Sequence, residues 1–252
     1  MGIRDRIERL RHPRTHSSEA YISWLRSQGV QVGEGSFFYD PASLQIDTQR
    51  PHMLHIGSRV VLTSGCIVLA HDYSRSTVFK ATGEHVADGG LTWIGDNTFV
   101  GMRSIILMGA HVGDNCIVGA GSVVSGRFGD GLVIAGSPAR VVGTVEESLG
   151  RRRARERDAA LEYARRWHER HGSWPTPEDM TNAFAWLYLP HTQRSIEEHP
   201  TLFALNAIDL AAFKARFLET EPVWPTFEAF LAECADPKAT VEGADDPRPA
   251  RE

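Results

Sequence analysis

Every sixth residue from Ile94 to Val124 is aliphatic: Ile94, Val100, Ile106, Val112, Val118 and Val124. Glycine follows four of them, at Gly95, Gly101, Gly113 and Gly119, and the fourth residue after each of the first five is small: Thr98, Ser104, Ala110, Cys116 and Ser122. A period of six matches neither a helix nor an ordinary strand, so it predicts a parallel β-helix. Three short strands would form one coil of about 18 residues, with the aliphatic residue pointing inward and buried by the coils above and below. Glycine eases the corner, where close backbone approach or a positive φ would penalise a Cβ. The same phase runs upstream through Val32, Phe38, Leu44, Ile56, Leu62 and Val68, with Arg50 as its one polar member. Cys66 and Cys116 fall in the small slot and read as buried small hydrophobes rather than nucleophiles.

At 252 residues the chain has room for one large domain and one small one. Residues 1–30 read as an N-terminal helical cap, with Tyr21, Ile22, Trp24 and Leu25 as an apolar patch that would cover the open first coil. The coil occupies 31–145. Its hexads end in the irregular Gly126–Gly131 stretch, and a final strand from Leu132 to Ala135 precedes the turn Gly136-Ser137-Pro138. After Val68 the next hexad falls due at Ser74, yet the phase resumes only at Ile94. Residues 74–93 therefore read as a loop thrown out of the coil, rooted at His71, Asp72 and Tyr73.

Beyond residue 146 helical spacing replaces the period of six, as in Leu161, Ala164 and Trp167 or Leu210, Phe213 and Phe217. The tripeptide Trp174-Pro175-Thr176 recurs as Trp224-Pro225-Thr226, and each threonine is placed to cap a helix, with Pro177 at the first helical position in the former. Residues 146–235 are thus expected as a helical domain and 236–252 as a disordered tail.

A net charge of −5 argues against nucleic acid as a partner, and the Arg151–Arg157 run reads as a solvated helix face. Three scattered cysteines make no disulfide framework, the start shows no apolar leader, and no apolar run is long enough for membrane insertion. These features predict a soluble, cytoplasmic protein.

The stretches IGDNTFVGMRSIILMGAHVGDNCIVGAGSVVSG and IAGSPARVVG make residues 21–146 resemble the hexapeptide-repeat acetyltransferases. That left-handed β-helix family includes maltose, galactoside and serine O-acetyltransferases and the xenobiotic acetyltransferases. The run VLTSGCIVLAHDYS is similar to the sugar and polysaccharide O-acetyltransferase branch. The resemblance implies an all-β left-handed parallel β-helix, acetyl-CoA as cosubstrate, no required metal, and a homotrimer with each active site between two prisms. It also implies that His71, just before the protruding loop, is the general base. A hydroxyl is a poor nucleophile until a base takes its proton, and imidazole titrates near working pH. By the same match Met102, Ala120, Ser125 and Gly126 would line the pantetheine arm. Arg140 would meet a nucleotide phosphate, as a guanidinium does bidentately.

Other residues remain open on the sequence. Asp72 could orient the imidazole or cap its own turn, and Asp40 or Asp47 from an earlier coil could be the orienting carboxylate instead. Tyr73 and His85 could reach a substrate. Trp93 could stack on a sugar or on pantetheine, or clamp the loop. His111 reads as exposed decoration, and His52 and His55 as packing residues. The expected function is O-acetylation of a sugar or polysaccharide precursor, in polysaccharide biosynthesis. The alternatives are N-acetylation of an amino sugar or nucleotide sugar and, remotely, a zinc carbonic-anhydrase-like β-helix, which would need three convergent histidines.

Overall fold

The computed structural model describes residues 11–180, 183–203 and 209–236. Its chain forms two compact units that divide between Ser148 and Leu149. In the first unit, fourteen two- to five-residue strands from β1 (Gln31–Val32) to β14 (Leu132–Gly136) pair in parallel, each with the strand three places on. Three sheets result, one per side of the coil: β1-β4-β7-β10-β13, β2-β5-β8-β11-β14 and β3-β6-β9-β12. Equivalent hexad residues lie in register, as Val112 with Ile94, Val118 with Val100, and Val124 with Ile106. All six are fully buried.

The small slot is filled as its chemistry requires. Thr98, Ser104 and Ser122 are buried, and each hydroxyl donates to a backbone carbonyl: Thr98 to Gly113 (2.9 Å), Ser104 and Ser122 to Gly119 (2.9 and 2.6 Å). A buried hydroxyl without a partner would be destabilising. At the glycines that follow the aliphatic residues, close approach is the governing constraint. A Cβ on Gly101 would lie 2.5 Å from Ala120 N, and one on Gly113 would lie 2.3 Å from Asp130 Oδ1. Positive φ falls two residues further on, at Asn97 (55°), Arg103 (58°) and Asn115 (56°).

Two stretches depart from the expected phase. In the first coil the residue paired with Val68 is Ile46, so the inward register passes through Ile46 rather than through Leu44 and Arg50. Extra residues on either side of Ile46 together make one hexad, which hides the shift from a reading of spacing alone. The coil also continues through the stretch expected to end it, because β13 (Arg127–Phe128) pairs with β10 (His111–Val112). Beyond β14 the chain doubles back as an antiparallel strand, β15 (Ala139–Thr144), for which the hexad pattern carries no signal.

Helix α1 (Ser18–Ser27) is capped by Ser17, which accepts from Ala20 N. Its Tyr21, Ile22 and Leu25 share one apolar core with Val32 and Phe38, and Ser18 Oγ accepts from Phe38 N at 2.9 Å. The insert is not simply a loop. Residues 75–82 form a helix, α2 (Arg75–Thr82), ended by Gly83 at φ 76°, and the coil restarts at Thr92, so Thr92 and Trp93 belong to strand β7 (Thr92–Ile94).

The outward positions differ between sheets. Phe37, Val61, Phe99, Ile117 and Val133 form a continuous apolar column on the second sheet, and Ile67, Ile105 and Val123 form another on the third. The first sheet instead shows Gln31, His55, Trp93, His111 and Arg127.

The second unit has its own core. It begins within α3 (Val145–His171), whose start is a reciprocal box: Thr144 N donates to Glu147 Oε2 and Glu147 N to Thr144 Oγ1. Leu161 and Ala164 pack with Leu187, Tyr188, Phe203, Phe217, Trp224 and Phe230. Trp167 is outside that cluster and stacks on His171. Helices α4 (Ala185–Tyr188), α5 (Gln193–Glu198), α6 (Leu210–Leu218) and α7 (Phe227–Ala235) follow. Thr226 caps α7, whereas Thr176 does not start a helix. Its backbone N–H and hydroxyl are taken by Asp179 Oδ2, which closes a turn over residues 177–180. The tail beyond Asp236 lies outside the described residues. Among the described residues no helix is long and apolar enough to cross a membrane.

Candidate active site

The corner that follows the strands of the third sheet carries the two longest excursions of the coil. One holds Asp47 to Met53, directly after β3 (Gln45–Ile46); the other holds His71 and the insert, after β6 (Ile67–Val68). Because β3 and β6 are neighbours, Asp47 lies one coil away from His71. Asp47 Oδ2 bonds His71 Nδ1 and accepts from Ala70 N at 3.0 Å, while Oδ1 accepts from Gln49 N at 2.8 Å. Burial works to raise the Asp47 carboxyl, but the hydrogen bonds from Gln49, His71 and Ala70 outweigh it and hold the group below the usual carboxylate range.

An ionised carboxylate only accepts, so Nδ1 carries a proton, and in the neutral ring Nε2 is the nitrogen with the lone pair. The Asp47 side chain is 3% exposed and that of His71 is 17% exposed. A buried anion thus fixes the tautomer of a partly open imidazole whose free nitrogen can take a proton.

Asp40 and Asp72 do not reach the ring. Asp40 sits on a different corner at φ 46°, where its carbonyl takes Ser43 N and Oγ. Asp72 is exposed and closes its own turn, accepting from Ser74 N at 2.7 Å and Ser74 Oγ at 2.8 Å. Tyr73 sets its ring edge-on to His71 at 4.7 Å between centroids, and its hydroxyl donates to Gln49 Oε1 at 2.6 Å. His85 is exposed in the insert, beyond Gly83.

Trp93 is flanked on both sides along its sheet. His55 stacks on it at 3.4 Å between centroids and His111 lies at 5.9 Å, both nearly parallel. Its faces are therefore not free for a sugar ring, and His111 is part of a column rather than decoration. Burial holds both imidazoles below their usual range.

Ser125 and Gly126 are exposed on the His71 corner, two coils further along: Leu107 N takes Val124 O, and His111 N takes Gly126 O. Met102 and Ala120 are exposed on the preceding corner, after the second sheet, where Gly121 N takes Met102 O at 2.8 Å. Arg140 pairs with Ala135 at the same end of that sheet and donates to Ala139 O. Within one chain the five residues therefore divide between two corners.

The thiols at Cys66 and Cys116 are buried and pushed up by that burial, and Cys234 is pushed up to about 12. None is poised as a thiolate nucleophile. Among the described residues no three His, Cys, Asp or Glu side chains gather as a metal would require. Gln49 and Arg50 are the site-forming residues that spacing alone does not reveal, because the shifted register around Ile46 puts Arg50 nominally in phase.

The family described as the hexapeptide repeat of succinyl-transferase matches residues 92–125. The putative acetyltransferase YvoF of Bacillus subtilis (strain 168) is 30% identical over 127 residues, which are 50% of this chain and 66% of that protein. Protein CapG of Staphylococcus aureus is 34% identical over 122 residues, 48% of this chain and 70% of that protein. The galactoside O-acetyltransferase of Escherichia coli (strain K12) is 37% identical over 121 residues, 48% and 58% respectively. The chain thus spans just under two thirds of the length of the first of these relatives, and the matches take in about half of its own length. With the three-sheet coil, its in-register hexads and these likenesses together, the chain belongs to the hexapeptide-repeat acetyltransferases.

Proposed function

We propose that this protein transfers the acetyl group of acetyl-CoA to a hydroxyl of a sugar or polysaccharide precursor, with His71 as general base. The Asp47–His71 pair carries this reading, because it occupies Nδ1 and leaves Nε2 as the nitrogen available to take a proton at an open corner. As the acceptor oxygen attacks the thioester carbonyl, Nε2 takes its proton; a backbone N–H stabilises the oxyanion. The C–S bond then breaks and CoA leaves as thiolate, to which the imidazolium returns the proton. The likeness to a galactoside O-acetyltransferase favours a carbohydrate acceptor. A co-crystal with acetyl-CoA tests the arrangement directly: the thioester carbonyl belongs within about 4 Å of the space facing Nε2, at near-attack range. A thioester bound away from His71 would refute it.

A left-handed coil and a homotrimeric assembly are part of the same proposal. Met102, Ala120 and Arg140 occupy one corner and His71, Ser125 and Gly126 another, so a donor touching both sets needs two chains side by side. The apolar columns of the second and third sheets supply a surface for that association. Phe99→Asp, at an exposed position in the middle of the longer column, is expected to convert trimer to monomer in sedimentation, and an unchanged trimer would remove that column from the interface.

Arg140→Ala is expected to weaken acetyl-CoA binding by about 1–3 kcal/mol through loss of a charge-assisted phosphate contact. Titration with acetyl-pantetheine, which lacks the nucleotide, should show almost no difference between variant and wild type. Equal losses with both donors would assign Arg140 a purely structural part.

A further inference from the structure

The corner segment from Asp47 to Arg50 touches three separate parts of the next coil. Asp47 holds His71. Gln49 Oε1 accepts from Tyr73 OH at 2.6 Å, at the outgoing root of the insert. Arg50 Nη1 donates to Asp88 O at 3.0 Å, at the returning root, and stands 3.9 Å from Asp88 Oδ1, a buried oxygen with no hydrogen-bond partner. Gln49 and Asp47 are themselves joined through Gln49 N. A closed circuit therefore runs from Asp47 to His71, across the ring edge to Tyr73, and back through Gln49.

We propose that Gln49 and Arg50 are positioning residues, which clamp the two roots of the 74–91 insert and so hold Tyr73 against His71 and the insert beside the acceptor. This rests on the assignment of His71 as the base and extends it. The reason for a second support is geometric. Asp47 fixes the ring at one nitrogen only, and a ring held at one atom can still swing about that bond; the edge of Tyr73 blocks the swing.

The insert itself has few other ties. Residues 76–87 are exposed throughout, Val78 and Phe79 included. Removing either clamp should release it, since segments with little buried apolar contact open at low free-energy cost. Arg50 is the stronger of the two, because it is partly buried, donates to the Asp88 carbonyl and has the Asp88 carboxylate 3.9 Å away.

The test uses the full chain and needs no known acceptor. Trypsin cleavage after Arg75 and Lys80, followed by mass spectrometry, should be on the order of 10-fold faster in Arg50→Met than in wild type, with Arg50→Lys in between. Histidine ring relaxation should show a single orientation for His71 in wild type and averaging between ring orientations in Gln49→Ala and Tyr73→Ala, with Nδ1 protonated in all three because Asp47 still holds it. Wild-type cleavage in Arg50→Met, or an unaveraged His71 signal in both of the other variants, would overturn the proposal. Its failure is separable from failure of the base assignment. If Arg50→Met frees the insert while His71→Ala still transfers acetyl groups, the clamp stands and the base does not.

Discussion

His71→Ala is expected to lower turnover by about 10²–10⁴ while leaving acetyl-CoA affinity nearly unchanged, because a general base acts in the chemical step and not in donor binding. The prediction rests on position as much as on residue type. Among the histidines of the coil, His55 and His111 are held in the stack with Trp93, and His71 alone is oriented by a buried carboxylate. Thiol release measured with saturating acetyl-CoA gives turnover, and calorimetric titration gives affinity. A variant that loses both equally would mean that His71 supports the donor site, and wild-type turnover would remove it from the mechanism.

Asp47→Asn should be at least as damaging as Asp47→Ala, although asparagine is the closer replacement in shape. The amide NH₂ of asparagine can donate to His71 Nδ1, which forces the ring proton onto Nε2, the atom that must be free. Alanine removes the tie but leaves both tautomers accessible. A loss of roughly 10–10⁴-fold in turnover is expected for asparagine, the upper end being that of tautomer inversion in other base–carboxylate pairs. The pH dependence distinguishes this from a folding effect. The Asp47 carboxyl is held below its ordinary value, so its contribution to stability is fully present above the unfolded value of about 3.9 and fades as pH falls through the lower folded value. Above about pH 5 the titration of Asp47 itself adds no slope to the stability gap between wild type and Asp47→Asn, and through this group the gap narrows only in more acid solution. A gap that changed between neutral and mildly acid pH would mean that another group is titrating.

The regular half of the coil was legible because each hexad residue reports its own position. An aliphatic at Val100 and a glycine at Gly101 are each required by a neighbour one coil away, so the pattern repeats wherever the geometry does. The same logic explains where legibility ended. Around Ile46 the chain spends extra residues on a corner, and nothing in the spacing separates that from an unbroken phase with a polar member at Arg50. The carboxylate beside His71 could not be chosen from spacing either. Asp40 and Asp47 are both plausible by distance in sequence, and only the pairing of β3 with β6 brings Asp47 to the ring. Helix α2 was missed because its residues carry no apolar stripe; none of its side chains is buried. Thr176 and Thr226 share a tripeptide but not a fate, since Asp179 gives the first a turn to close.

The chemistry of the product tests the central claim most directly. Wild-type protein, acetyl-CoA and a set of galactosides and glucosides, half of them bearing a free amine, would be combined, and the products read by mass spectrometry before and after mild alkali. An acetyl adduct on an amine-free sugar that alkali removes, formed by wild type and not by His71→Ala, is the predicted result. An alkali-stable adduct confined to the amino sugars, or ester formation that persists in His71→Ala, would contradict the account.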